Sequence, residues 1–412
     1  MSYERVGGTL MTNKENNFLK RRFKKFELSG PWEARFLGEL VKLNPKGQLP
    51  QTFEYVDLES VVGTEMVSHR KVTRDTAPSR AQRLAQSGDL FYQTVRPYQK
   101  NNFLATNLNG DYVFSTGYAQ LRPLISGYFL LSLVQNDRFV KSVLSRCTGT
   151  SYPSISADEL SKIQVLVSND EQELYSIGKL FQKLDRLIIL HQHKLDKLKN
   201  LKKAYLSEMF PAEGERVPKL RFPGFEGEWE QKKLGEITTY RNGLGHEEKQ
   251  SRFGNYELVN LNSISIDGGL KPSGRFIEEA SETLMKNDLV MVLSDVAHGD
   301  LLGRVAVIPE NDKFVLNQRV ALLRHNGIVD IKYLFSFINA HQKYFKLQGA
   351  GSSQLNLSRY SVENFEVALP SVEEQKTIGN FLEKLDKSIS LQQQKLDKLN
   401  DLKKAYLNEL FV

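Results

Sequence analysis

Residues 194–210 read KLDKLKNLKKAYLSEMF, and residues 395–411 read KLDKLNDLKKAYLNELF, identical at 13 of 17 positions with a constant offset of 201. Solenoids and propellers repeat every roughly 20 to 50 residues, whereas this period is close to half the chain, so a whole domain-plus-helix unit has been duplicated. In the first copy Leu184, Ile188, His191, Leu195, Leu198, Lys202, Tyr205 and Met209 step by fours and threes, which is the a/d seam of a coiled coil. The second copy repeats it as Leu385, Ile389, Gln392, Leu396, Leu399, Lys403, Tyr406 and Leu410. Each helix is expected to measure on the order of 54 Å at about 1.5 Å per residue. An exposed seam invites aggregation, so the two helices are expected to pack on each other, antiparallel, about a pseudo-two-fold axis. His191 and Gln392 share one seam position and are expected to set register, not to catalyse.

The repeat extends outward from the helices. Ile177-Gly178 and Lys183-Leu184-Asp185 return as Ile378-Gly379 and Lys384-Leu385-Asp386. Residues 149–165, GTSYPSISADELSKIQV, align with residues 351–367, GSSQLNLSRYSVENFEV, at an offset of 202. Upstream, Arg22-Phe23, Phe26, Trp32 and Leu37-Gly38-Glu39 correspond to Arg221-Phe222, Phe225, Trp229 and Leu234-Gly235-Glu236. Between these anchors the sequences diverge, and 88–97 (GDLFYQTVRP) and 287–296 (NDLVMVLSDV) keep little beyond an Asp-Leu step. Two like scaffolds with unlike contents suit two related but different targets.

A chain of 412 residues exceeds what one core normally serves, so two bodies plus connectors are expected. The divisions are 1–20 as a loose N-terminus, 21–170 and 212–370 as bodies, and 171–211 and 371–412 as helical spacers. Each body reads as a mixed α/β (α+β) fold. Short β-branched runs lie at 111–115, 162–167, 289–293, 304–308 and 319–323, with helices at 127–144 and 331–345. Residues 219–229, KLRFPGFEGEW, are turn-rich and are expected to dock against a helix end.

Cys147 is the only cysteine, which excludes an internal disulfide and zinc-finger spacing and suits a reducing cytoplasm. No apolar run is long enough to span a bilayer. The chain lacks an Asn- or Asp-Pro-Pro-aromatic motif, a GxGxxG loop and a GxxxxGK[ST] loop, so neither methyl transfer nor nucleotide hydrolysis is expected of it. A net charge of +7 is consistent with a polyanionic partner, and Lys20, Arg21, Arg22, Lys24 and Lys25 could track phosphates.

The candidate contacts fall in polar loops. In the first body they are Arg96, Tyr98, Lys100, Asn101, Ser115, Thr116, Tyr118, Thr148, Thr150, Ser151 and Tyr152. In the second they are Ser294, Asp295, His298, Asn317, Gln318, Arg319, Ser352, Ser353 and Gln354. Arginine pairs bidentately with guanine and asparagine or glutamine with adenine, so loops of this composition fit base edges.

The RFPGF…EGEW…LGEI opening at 221–237, GDLFYQTVRP at 88–97, STGYAQLRP at 115–123, GTSYPSIS, GSSQLNLS and the doubled KLDKL…LKKAYL helix resemble the specificity (S) subunits of type I restriction-modification systems. The resemblance spans nearly the whole chain. It implies two target recognition domains joined by long antiparallel helices, each domain reading one half of a split double-stranded DNA site. It also implies a non-catalytic chain that positions two methyltransferase (M) subunits, and restriction (R) subunits in the full complex, for N6-adenine methylation or cleavage. S-adenosylmethionine, ATP and magnesium would then be held by the partner subunits, with no cofactor in this chain. The alternative is a duplicated coiled-coil scaffold that binds proteins or glycans.

Overall fold

The computed structural model describes residues 22–27, 29–295, 299–351 and 354–411. The chain divides into two units, one of residues 1–192 with 394–412 and one of residues 193–393. The division cuts both long helices, Glu171–Glu208 and Val372–Leu410. Each helix therefore starts in the unit built by the residues before it and finishes in the other.

Both helices are started by local chemistry. The Asp170 carboxylate accepts from Gln172 N–H at 2.9 Å and Glu173 N–H at 3.3 Å, and Ser371 Oγ accepts from Glu374 N–H at 3.3 Å. Glutamates at 171, 173, 373 and 374 lie where the helix dipole favours negative charge. Within the first unit Phe181 packs on Phe411 at 5.8 Å and Asp185 pairs with Lys403, so rising numbers meet falling ones and the segments run antiparallel. In the second unit Tyr205 packs on Phe381 and Lys202 pairs with Asp386, again antiparallel.

The bodies share a strand plan that their sequences conceal. In the first unit Glu33–Phe36 pairs antiparallel with Gln164–Val167, the strand just before the long helix; in the second Glu230–Lys233 pairs with Glu366–Leu369. A four-stranded sheet runs Val41–Leu43, Tyr118–Pro123, Leu90–Gln93, Phe103–Leu104 in the first unit. Its counterpart runs Thr238–Asn242, Val320–His325, Leu289–Val292, Val305–Val307. A further sheet contains a parallel pair in each unit, Thr52–Val56 with Tyr112–Ser115 and Tyr256–Val259 with Phe314–Leu316. Strands Leu90–Gln93 and Leu289–Val292 are buried along their whole length because they are covered on both faces.

The two helical stretches read as continuous are each broken once. Gly127–Gln135 ends at Asn136, which is extended and caps Asp137–Leu144, and Ile331–Ala340 gives way at His341 to Gln342–Gln348. Asn136 Nδ2 donates to Leu407 O at 2.8 Å, so the break faces the end of the second long helix. His341 lies 6.0 Å from the Phe210 ring at the end of the first. The repeated Ile-Gly step has a steric cause. A Cβ on Gly178 would stand 2.7 Å from Phe129 N, and one on Gly379 2.8 Å from Tyr333 N, so only glycine lets each long helix pass the shorter helix beneath it.

The segments before the tryptophans dock as irregular chain. Arg221 Nε and Nη2 each donate to the buried Glu374 carboxylate at 2.7 Å, and Leu220 N–H donates to Glu208 O at 2.8 Å at the helix end. Arg22 makes the same fork to Glu173, at 2.7 Å twice, despite its different neighbours. The assignment of this basic stretch to phosphates is thereby corrected for Arg22, and Lys25 donates to Ser176 Oγ at 3.0 Å. Lys20 and Arg21 lie outside the described residues.

Candidate nucleic-acid interface

In each unit one residue after the central strand ties the candidate loops together. Thr94 N–H and Thr94 Oγ1 both donate to Gly117 O, at 3.0 and 2.7 Å, and Thr94 O accepts from Ile155 N–H at 3.0 Å. Arg96 N–H donates to Pro153 O at 2.8 Å, while Thr148 and Ser154 exchange two main-chain bonds of 2.9 Å. Loops 94–101, 115–118 and 148–155, distant in sequence, therefore meet. In the second unit Leu293 N–H donates to Arg319 O at 2.9 Å and Leu293 O accepts from Leu357 N–H at 2.8 Å. Ala350 and Asn356 exchange bonds of 3.1 and 2.9 Å, and Ser294–Asp295 pairs with Leu355–Asn356. Thr148 with Ser154 and Ala350 with Asn356 thus mark the third loop of equivalent junctions, and Arg96 and Asp295 each lie two residues beyond the tie.

The stems of these loops are held by a pair of buried aspartates. Asp89 and Asp288, the aspartates of the shared Asp-Leu step, are 0% and 2% exposed. Asp89 accepts from Arg122 Nε and Nη2 at 2.8 and 3.0 Å, and Asp288 from Arg324 Nε and Nη2 at 2.7 and 2.6 Å. Each carboxylate also accepts a main-chain N–H, from Gln86 at 2.8 Å and Met285 at 2.7 Å. Hydrogen bonding to the carboxylate pushes both arginine pKa values up, so these are fixed ion pairs. The arginine partners, far along the chain, gave no signal in sequence.

The candidate residues divide by where their side chains go. Arg96, Tyr98, Thr148, Thr150, Ser151 and Tyr152 lie at the first junction, with Tyr98 49% and Tyr152 64% exposed. Lys100 pairs with Asp137 at 2.5 Å, Asn101 Oδ1 accepts from Gly63 N–H at 2.9 Å, and Thr116 N–H donates to Arg80 O at 2.8 Å. Ser115 and Tyr118 are corrected: both are buried. Tyr118 stands edge-on to Phe91 and Phe114 and its hydroxyl donates to Asp57 O, because both faces of its strand are covered over residues 118–121. Ser294 is likewise buried, donating to Asn356 Oδ1 at 2.6 Å, and Asp295 accepts from Leu301 N–H at 3.0 Å. Gln318 donates to Glu247, Asn317 faces His246 at 3.4 Å, and Arg319 is exposed with φ +64°. Gln354 reaches Asn356 at 3.4 Å. His298, Ser352 and Ser353 lie outside the described residues.

Sequence reasoning missed the loop that carries His246. Gly243 follows the edge strand, and a Cβ there would come within 1.9 Å of Asn317 O, so glycine brings 243–247 onto the second junction. Leu244, bridged to Asn317, is 70% exposed. A GLGH sequence leaving a strand was the available cue. Among the described residues no three His, Cys, Asp or Glu side chains gather as a metal site, and no helix is long and apolar enough to cross a membrane.

Residues 226–401 match the family model of the type I restriction modification DNA specificity domain. The type I restriction enzyme MjaVIII specificity subunit of Methanocaldococcus jannaschii is 24% identical over 191 residues, 45% of this chain and 42% of that protein. The chain spans about half the length of the curated relatives it matches. In fold it is similar to the S subunit of a type I restriction-modification system from M. genitalium, with TM-score 0.63, 15% identity, and coverage of 94% of this chain and 97% of that one. A chain solved in work on complex assembly and conformational transition of the type I R-M system aligns with TM-score 0.50 and 21% identity, over 92% and 96% of the two chains.

Proposed function

We propose that this chain, a member of the type I restriction-modification specificity family, recognises a bipartite, asymmetric double-stranded DNA site and positions partner subunits on it. The observation that carries the reading is the twin junction: in each unit three loops bearing arginine, asparagine and glutamine, with exposed aromatics in the first, are tied together by equivalent main-chain bonds. Such loops suit groove edges, while lysines and arginines around them suit phosphates. The loops differ between units where the ties do not, which fits two unlike half-sites.

In this reading the chain carries no chemistry. Two methyltransferase subunits dock on the long helices, restriction subunits join in the full complex, and the spacer follows helix length. Exposed leucines recur at the repeat distance, Leu190 and Leu201 on one helix and Leu391 and Leu402 on the other, and offer the apolar docking contacts. S-adenosylmethionine, ATP and magnesium belong to the partners, the methyltransferases flip their target adenines from the stack, and the complex works in the cytoplasm.

Methylome sequencing of a methylation-free host expressing this chain with its methyltransferase tests the proposal. A bipartite motif carrying N6-methyladenine in each half, absent without this chain, is the expected result. No motif from a verified complex would overturn it.

A further inference from the structure

We infer that Arg96 is the guanine-reading residue of the first half-site, held for that task on the ring of Tyr152; the inference rests on the DNA-recognition reading above. The Arg96 guanidinium lies 4.3 Å from the Tyr152 ring centroid. Tyr152 is 64% exposed, so its outer edge is open to solvent while its face carries the arginine. No carboxylate among the described residues pairs with the Arg96 guanidinium, in contrast to Arg22, Arg122, Arg221 and Arg324, each of which is forked onto a buried acid. The planar donor fork of Arg96 is therefore oriented but unspent.

The backbone supports the same task. Arg96 has φ +54° and ψ +55°, a left-handed conformation that a side chain with a Cβ adopts at a cost, and it is kept there between its bond to Pro153 O and buried Pro97. The conformation turns the side chain out of the strand line and over the GTS loop, so two of the three joined loops fix one guanidinium. A stacked fork loses little freedom when it meets the O6 and N7 acceptors of guanine, which a lysine cannot grip bidentately. In the second unit the equivalent position is Asp295, whose carboxylate already accepts from Leu301 N–H, so a guanine contact of this kind belongs to one half-site only.

The left-handed backbone makes Arg96→Gly the informative substitution, since glycine keeps the fold of the loop while deleting the side chain. Arg96→Lys keeps the charge and deletes the fork, and Tyr152→Ala removes the platform. Methylomes of hosts expressing each variant with the methyltransferase subunit should show one G·C position in one half-site relaxed at least tenfold for Arg96→Gly and Arg96→Lys, and the same position relaxed for Tyr152→Ala, with the other half-site unchanged. A motif left unchanged by both Arg96 substitutions, or relaxation at an A·T position or in both halves, would overturn this inference while leaving the functional reading intact. Failure of the unsubstituted chain to direct any motif would remove both.

Discussion

Lys403 Nζ lies 2.6 Å from the Asp185 carboxylate, and one repeat away Lys202 pairs with Asp386. Both lysines occupy seam positions that the heptad pattern reserves for apolar residues. The Lys403–Asp185 side chains are only 23% and 19% exposed, and burial pushes the Asp386 carboxyl up against the opposing pull of Lys202. Charges so placed penalise any register that separates them. Lys403→Met, which strands Asp185, should lower stability by about 1–3 kcal/mol in urea denaturation, and the double exchange Asp185→Lys with Lys403→Asp should recover most of it. An unchanged midpoint for the single variant would contradict the assignment.

The Arg221–Glu374 fork closes the second unit around a carboxylate that is 1% exposed. Arg221→Met should cost roughly 3–5 kcal/mol, because it leaves a buried charge uncompensated, whereas pairing it with Glu374→Leu should cost much less. Guanidinium melts of the two variants, read as a double-mutant cycle, test this.

Gly379→Ala pits helix propensity against packing. Alanine gains about 1 kcal/mol in an exposed helix, but here the new methyl meets Tyr333 N at 2.8 Å, a backbone atom with no freedom to move. The clash should win, with a net loss on the order of 1–2 kcal/mol in thermal melting. A rise in melting temperature would refute the close-approach account.

His341 is half-buried at the helix break, donates Nδ1–H to Phe337 O at 2.8 Å and stacks on Phe337 at 4.2 Å. Burial lowers its pKa from the ordinary 6.5, so the folded state resists protonation more than the unfolded chain does. Stability from this group is full above pH 6.5 and declines as pH falls below it, by up to about 1.4 kcal/mol per unit. His341→Asn, the residue type found at the matching break of the first unit, should flatten that part of the stability profile from pH 7 to pH 5. An unaltered slope would assign the pH dependence elsewhere.

The exposed leucines bear on partner docking. Leu190→Lys together with Leu391→Lys should weaken co-purification of the methyltransferase at least tenfold while leaving the melting temperature within a few degrees, since neither side chain is in a core. Retention of full complex yield would move the docking face to another part of the helices.

Much of this architecture was legible along the chain. The duplication, the mixed α/β bodies and the long helices follow from local identity and from a seam of period three and four, which need no distant contact to be read. The docking segment at 219–229 was legible for the same reason, being rich in turn formers and aromatics. The loops of the junctions were legible as loops but not as a group. Ser115, Tyr118 and Ser294 show why: a polar residue at a strand end can face either way, and only its neighbours across the sheet decide which.

By itself, then, the sequence determined the repeat, the periodicities and the residue types available at each turn, because these depend on neighbours within a few positions. Tertiary structure decided which distant residues meet. It set Arg122 and Arg324 on Asp89 and Asp288, joined three loops at Thr94 and again at Leu293, and sent Phe210 into the core of the second unit and Phe411 into that of the first. The physical reason is that a buried carboxylate, an orphan backbone group and an exposed apolar helix end each need a partner. Chain spacing does not say which of many suitable residues the fold will bring within reach.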